Sequence, residues 1–215
     1  MRFLILLAIV AIACSSPLVV TRNYVEQLKR TVEWEVEEYE NNIFRGLTEE
    51  DVKSMLGYKP KDEQSFPQVE EVATPSQIDW SADKCDVGPK NQGNCGSCWA
   101  FAAVGSLSAR CCLHATDQGW LSPQELVSCD KESEGCNGGD LESPVTYAQK
   151  NGGLVPEACY PYLAKNAPCP NKCKNGDEWK KAHVCKCDKP TACNGVAGIK
   201  ACLATGPVTI GFYVC

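Results

Sequence analysis

The chain has 215 residues, a net charge of −6 and sixteen cysteines. An acidic chain lacks the basic surface that nucleic-acid binding needs, so nucleic acid is excluded as the main partner. The cysteine density is about double that of an ordinary intracellular protein, which excludes a reducing compartment as the natural home.

Arg2, the apolar run Phe3–Ala13 and the small residues Ala11, Ala13, Ser15 and Ser16 have the make-up of a secretory signal peptide, assigned to residues 1–16. The run is too short to cross a bilayer, and no other stretch is apolar enough, so no membrane span is expected. No Asn-x-Ser/Thr sequon occurs. Residues 17–73 carry seven basic and thirteen acidic side chains and no cysteine, whereas residues 74–215 carry thirteen, fourteen and fifteen respectively. Such different chemistry marks two separate functional pieces. In the first, Tyr24, Val25, Leu28, Val32 and Val36 recur at helical spacing, flanked by Trp34 and Tyr39. Thr48 is expected to cap a second helix, with Asp51 in the capping-box position, Val52, Met55 and Leu56 on the apolar side, and Gly57 as the stop. Pro60, Pro67 and Pro75 among polar residues predict an extended linker over 59–75.

From Ile78 onward the composition is globular. Cys98 opens an apolar, small-residue helix, where the dipole and the first N–H groups favour a thiolate. A thiolate is a strong nucleophile when a base sits beside it. Ser122 and Pro123 open a short helix, and Cys136-Asn137-Gly138-Gly139 reads as a glycine turn. A further helix is expected over Leu141–Lys150, ending at Gly152-Gly153. Residues 159–193 show no periodicity. Ile199–Ala204 predicts a short helix and Val208–Val214 a strand.

The stretch Gln92 to Trp99 contains Cys95-Gly96-Ser97-Cys98-Trp99, the signature of papain-like cysteine peptidases. Thr74–Trp80, Ser122–Cys129, Gly135–Gly139, Tyr160-Pro161-Tyr162 and Gly206-Pro207-Val208 resemble further landmarks of that family. Trp34, Asn42, Phe44, Gly46, Thr48, Asp51, Lys53 and Leu56-Gly57 stand in the order of the short propeptide of the cathepsin B branch. The resemblance implies an α+β, papain-like fold, with a propeptide over 17–73 and a peptidase domain over 74–215. It implies Cys98 as nucleophile, and Gln92 with the Cys98 N–H as the oxyanion hole. Gly138 and Gly139 resemble the backbone that pairs with an extended peptide. Asp140 follows where the family often has an aromatic; if it lines the non-primed subsites it would favour basic side chains, whereas the preferred expectation is a solvated carboxylate. By the same resemblance Cys85 pairs with Cys112, Cys95 with Cys136, Cys129 with Cys169, and Cys159 with Cys173. No metal or cofactor is implied, and secretion argues against zinc at Cys185-x-Cys187. Peptide and protein substrates, the chain's own propeptide and cystatin-like inhibitors are the implied partners. A lysosome- or vacuole-like compartment, or the extracellular space, is the implied location. Acid is expected to weaken the propeptide's hold, if its carboxylates pair with the mature domain.

Two departures from the family matter. Nine residues, none of them His, separate Cys159 from Cys169, too few for the His-containing occluding loop of cathepsin B. That predicts an endopeptidase without dipeptidyl-carboxypeptidase activity. The family's catalytic His lies about 130–150 residues after its Cys and is oriented by an Asn, whereas 117 residues follow Cys98 here. His114 lies on the order of 24 Å along the helix from Cys98. His183 sits among lysines. Both histidines are expected at the surface, so the catalytic His and Asn are read as absent. The expectation is a C-terminally truncated precursor, inactive as written, with the helical left domain nearly complete and the β-rich right domain largely missing. The alternative is a non-catalytic pseudo-protease or propeptide-like inhibitor.

Overall fold

The computed structural model describes residues 17–61, 67, 69, 73–81, 83–86, 88–114, 119–179, 183–185 and 190–212. The expected signal peptide, Cys187 and Cys215 lie outside the described residues. The chain divides into two compact units, Met1–Lys53 and Ser54–Cys215.

In the first unit, helix α1 spans Arg22–Thr31. The Thr21 side chain accepts from the Tyr24 N–H, and Lys29 and Arg30 complement the dipole at the far end. The helix stops well short of Val36, because Val32 is already extended, with φ −116° and ψ 155°. The Thr31 hydroxyl bonds back to the Gln27 and Leu28 carbonyls. Continuing the helix would also have set Glu33, Glu35, Glu37 and Glu38 at the negative end of the dipole. Two isolated bridges, Leu18 with Thr48 and Val20 with Arg45, bring the chain back. Helix α2 (Glu49–Met55) begins at the expected cap: the Thr48 N–H donates to Asp51 Oδ2 at 2.8 Å and the Asp51 N–H to the Thr48 hydroxyl at 3.2 Å.

In the second unit, helix α3 (Cys98–His114) buries Trp99, Ala100, Ala103, Val104 and Leu107 along one face. That face meets Leu121, Leu126 and Val127 of α4 (Pro123–Cys129) and its approach, Ala148 of α5 (Ser143–Asn151), and Leu154. Small residues at 100 and 103 let α4 and α5 come close. Helix α6 (Gly195–Leu203) starts four residues before the expected Ile199, a start hidden by the poor helix formers Gly195 and Gly198. The expected strand at 208–214 is not formed among the described residues 208–212. A strand needs a partner ladder, and Thr209 instead bonds through its hydroxyl to the Ala102 carbonyl and Ser106 of α3.

Among the described residues, six disulfides staple this unit. Cys85–Cys112, Cys95–Cys136, Cys129–Cys169 and Cys159–Cys173 join the pairs named above, and Cys111–Cys185 and Cys193–Cys202 are further bridges. Cys185 is therefore engaged in a disulfide.

The core also holds a carboxylate. Glu125 is fully buried and accepts from the Val155 N–H at 2.6 Å, the Tyr147 hydroxyl at 3.1 Å and His183 Nε2 at 2.6 Å. Burial first, then the Glu125 charge, raises the Tyr147 pKa and keeps the phenol a donor. The His183 side chain is only 6% exposed, which corrects its assignment to the surface. Its lysine neighbours in sequence masked a side chain that a buried carboxylate draws inward. His114 does lie exposed, with Nε2 at 2.8 Å from the Thr205 carbonyl.

Candidate active site

The turn before α3 is built to hold Cys98 and Gln92 in fixed relation. The Ser97 carbonyl accepts from the Ala100 and Phe101 N–H groups, starting the helix one residue before the thiol. The Cys95–Cys136 bridge and the bond from the Gly96 N–H to the Cys136 carbonyl, at 2.9 Å, tie this turn to the glycine turn beside it. Beneath it, the Tyr162 phenol donates to the Gln92 carbonyl at 2.7 Å and receives the Ser97 hydroxyl at 2.6 Å. Burial first raises the Tyr162 pKa, so this phenol stays protonated and in place. Sequence reasoning had Tyr162 only as a landmark. Its spacing from Gln92, seventy residues, hides the contact.

Cys98 is half-buried and is the free cysteine among the described residues. Gln92 Nε2 donates to two carbonyls, Cys95 at 2.8 Å and Met55 at 2.7 Å. The first bond fixes the amide. The second places a carbonyl oxygen where the Gln92 amide can stabilise developing negative charge.

Residues 55–61 form a strap over this turn, within the second unit's packing. The Gly57 N–H points at Cys98 Sγ, 3.3 Å away. The Gly139 N–H donates to the Gly57 carbonyl at 2.8 Å, and the Lys59 N–H donates to the Gly139 carbonyl at 2.8 Å. Tyr58 and Gly139 thus form a parallel bridge. Gly57 is not a left-handed helix cap, as its motif suggested, because its φ is not positive. Its role is steric. A Cβ there would lie 1.9 Å from the Gly96 carbonyl oxygen, so only glycine lets the strap reach the thiol. Gly138, with φ 119°, would place a Cβ 2.7 Å from the Gly57 oxygen, so side-chain-free backbone faces backbone on both sides.

Asp140 is 5% exposed, not solvated as expected. Its Oδ1 accepts from the Glu142 and Ser143 N–H groups, both at 2.7 Å, and its Oδ2 from the Ser143 hydroxyl at 2.5 Å. A short polar side chain before a helix is drawn in to satisfy first-turn donors. Burial raises the Asp140 pKa, but these bonds and Lys61 outweigh it and hold the carboxyl below its ordinary value. Lys61 Nζ lies 3.2 Å from Asp140 Oδ2 and 3.0 Å from the Ser143 hydroxyl, and Lys59 Nζ lies 2.5 Å from Glu134 Oε2.

The structure thus brings Cys98, Gln92, Gly138, Gly139 and Asp140 to one surface, and leaves His114 and His183 elsewhere. A thiol at a helix start, beside an amide donor and a backbone shelf, is the arrangement the family resemblance leads one to expect around Cys98. The family profile described as Papain family cysteine protease matches residues 74–215. The chain belongs to that family, and its helices and isolated bridges are part of an α+β papain-like fold. It is 39% identical over 136 residues to Procathepsin L of Rattus norvegicus, covering 60% of this chain and 41% of that protein. It is 34% identical over 174 residues to the Probable cysteine protease RD21B of Arabidopsis thaliana, covering 78% and 37%. The chain therefore spans about two fifths of the length of these curated relatives. Among solved structures, the proform of the ragweed-pollen cysteine protease Amb a 11 matches with TM-score 0.55 and 34% identity, over 63% of this chain and 40% of that one. The proCathepsin B S9 of Trypanosoma congolense matches with TM-score 0.62 over 74% and 60%, but at 21% identity it shares the fold alone. These sequence relatives are of cathepsin L and plant type, not of the cathepsin B branch that the N-terminal segment resembles.

Proposed function

We propose that this chain is the nucleophile-bearing part of a cysteine endopeptidase, held closed by its own N-terminal segment. The observation that carries the reading is the Gly57 N–H, 3.3 Å from Cys98 Sγ, with the Met55 carbonyl on Gln92. In catalysis the Cys98 thiolate attacks the carbonyl carbon of a peptide, the oxyanion rests on Gln92 and the Cys98 N–H, and the amine departs. Water then hydrolyses the thioester. The strap presents an N–H to the sulfur instead of a carbonyl carbon, so it occupies the site without offering a bond to cut. Residues 17–73 act as the propeptide, and substrates are peptides and proteins. Cystatin-like inhibitors are the partners expected to compete for the same cleft.

The reaction needs an imidazole base. His114 and His183 are engaged with the Thr205 carbonyl and with Glu125, so neither serves Cys98. Their engagement supports the reading that the 215 residues alone are catalytically incomplete. The same observation favours a second reading, a non-catalytic pseudo-protease or propeptide-like inhibitor. The nine-residue connection between Cys159 and Cys169 supports endopeptidase over dipeptidyl-carboxypeptidase action in the enzyme. The cathepsin B-like reading rests on the order of residues 34–57, and belongs to the propeptide rather than to the peptidase part. Six disulfides support the secretory route, toward a lysosome- or vacuole-like compartment or the exterior.

The test is labelling with a thiol-directed epoxide peptide, with the modified cysteine mapped by mass spectrometry. Slow or absent reaction at Cys98 is expected. Fast stoichiometric labelling would overturn both the closure and the missing base.

A further inference from the structure

The shelf at Gly138–Gly139 has a carboxylate at either end, and each already holds an ammonium group. Lys59 sits on Glu134 and Lys61 on Asp140, at 2.5 Å and 3.2 Å. The two carboxylates are prepared differently. Asp140 is buried and locked by three bonds from Glu142 and Ser143, so Oδ2 faces the lysine at no further ordering cost. Glu134 is 62% exposed and adapts to its partner. The strap carrying the lysines is bonded to the shelf by backbone, through Gly57 and Lys59 on Gly139. Pro60 between the lysines holds Lys59 extended. Alternate residues of an extended chain project the same way, about 6.6 Å apart. Backbone pairing and two charge contacts therefore read one pattern, a basic residue, any residue and a basic residue. A spacing of two reads alike in either chain direction.

We propose that Glu134 and Asp140 make this cleft selective for extended peptides with lysine or arginine at alternate positions, and that Lys59 and Lys61 are the chain's internal copy of that ligand. The proposal rests on Cys98 and the shelf forming a peptide-binding cleft, and it adds the chemical class of the peptide. A carboxylate with lowered pKa and a fixed Oδ2 attracts a cation and repels an acidic side chain. The exposed Glu134 contributes less, because water screens it.

The experiment opens the cleft with Gly57→Ala, whose Cβ cannot coexist with the Gly96 carbonyl, and independently with Lys59→Gln/Lys61→Gln. Each chain is treated with peptidyl chloromethyl ketones carrying Lys-x-Lys, Gln-x-Gln or Glu-x-Glu, and the rate of alkylation at Cys98 is followed by mass spectrometry. Lys-x-Lys is expected to react about tenfold faster than Gln-x-Gln, with Glu-x-Glu slowest. Glu134→Gln should leave about a threefold preference, and Asp140→Asn added to it should leave none. High salt should shrink the preference in the chain with both carboxylates intact, which keeps the test independent of whether Asp140→Asn folds. Equal rates for the three peptides overturn the selectivity while leaving the cleft reading intact. Failure of every peptide to reach Cys98, in chains where iodoacetamide alkylates it, overturns the cleft reading and the selectivity together.

Discussion

The two units are held by opposite means. Among the described residues of the first, Val20 and Val25 are the buried apolar side chains, while Tyr24, Trp34 and Ile43 are exposed. Its order comes from caps, turns and exposed ion pairs: Arg22 with Glu40, Lys29 with Glu26 and Glu38, and Lys53 with Glu49. The second unit has, among its described residues, two buried apolar clusters and six disulfides. Exposed pairs contribute little because water screens them, whereas a disulfide contributes about 2–4 kcal/mol. Residues 17–53 are thus the part whose structure salt and acid should weaken, and the unit from Ser54 onward is the one built to remain. These ion pairs also relocate the expected contact between propeptide carboxylates and the mature domain. Among the described residues, Glu26, Glu38, Glu40 and Glu49 pair within the acidic segment, while the carboxylates gripping the strap, Glu134 and Asp140, belong to the shelf.

The comparison is broken most severely by Glu125→Ala. It strands the Val155 N–H, Tyr147 and His183 in the core, and should cost the second unit about 3–5 kcal/mol in urea unfolding, with hydrogen exchange in residues 17–53 unchanged. Replacing Cys111 and Cys185 together by Ser should cost the same unit about 2–4 kcal/mol, again read from the urea midpoint. A smaller effect of opposite sign is expected at Glu157. Its Oε2 is buried without a hydrogen-bond partner, and burial raises its pKa. A raised carboxylate pKa penalises the folded state above that pKa and not below the ordinary value of 4.5. Glu157→Gln should therefore raise the melting temperature by about 1–3 °C at pH 7 and leave it unchanged below pH 4.

The smallest effects sharpen the contrast. Hydrogen bonds from Lys53 and Arg22 lower the pKa values of Glu49 and Glu40. Lowered carboxylate values give stability that is present above the ordinary 4.5 and lost as pH falls through the folded values. Acidification below pH 4.5 should thus increase hydrogen exchange in residues 17–53 before it does so in α3. Added salt at neutral pH should act in the same direction, since these pairs are exposed.

Much of the site was legible because its signals are local. Cys98 and Gln92 lie in one turn, and the chemistry of a thiol at a helix start follows from neighbours within a few residues. The Thr48–Asp51 cap and the Ser122 cap were legible for the same reason. What sequence hid was contact across distance or competition between rules. Gly57 reads as a helix stop, yet its lack of a side chain serves an approach to a sulfur forty-one residues away. Lys59 and Lys61 look like solvated charges in a linker until Glu134 and Asp140 are beside them. His183 looked exposed by its lysine neighbours and is buried by a glutamate fifty-eight residues earlier. Helix periodicity through Val36 was real in pattern, but the glutamates interleaved with it ended the helix.

Cys111 and Cys112 are adjacent on α3 and bond in different directions, to Cys185 and to Cys85. Neighbouring positions on a helix point about 100° apart. A turn of α3 about its axis by roughly that angle would bring Cys111 round toward Cys85 but carry Cys112 further from Cys185, so no rotation of the helix exchanges the two partners. The same turn would swing the thiol at the other end away from Gln92. The two bridges therefore work as a rotational lock, and the azimuth of the Cys98 thiol is set thirteen and fourteen residues away, where Cys111 and Cys112 each hold their own partner.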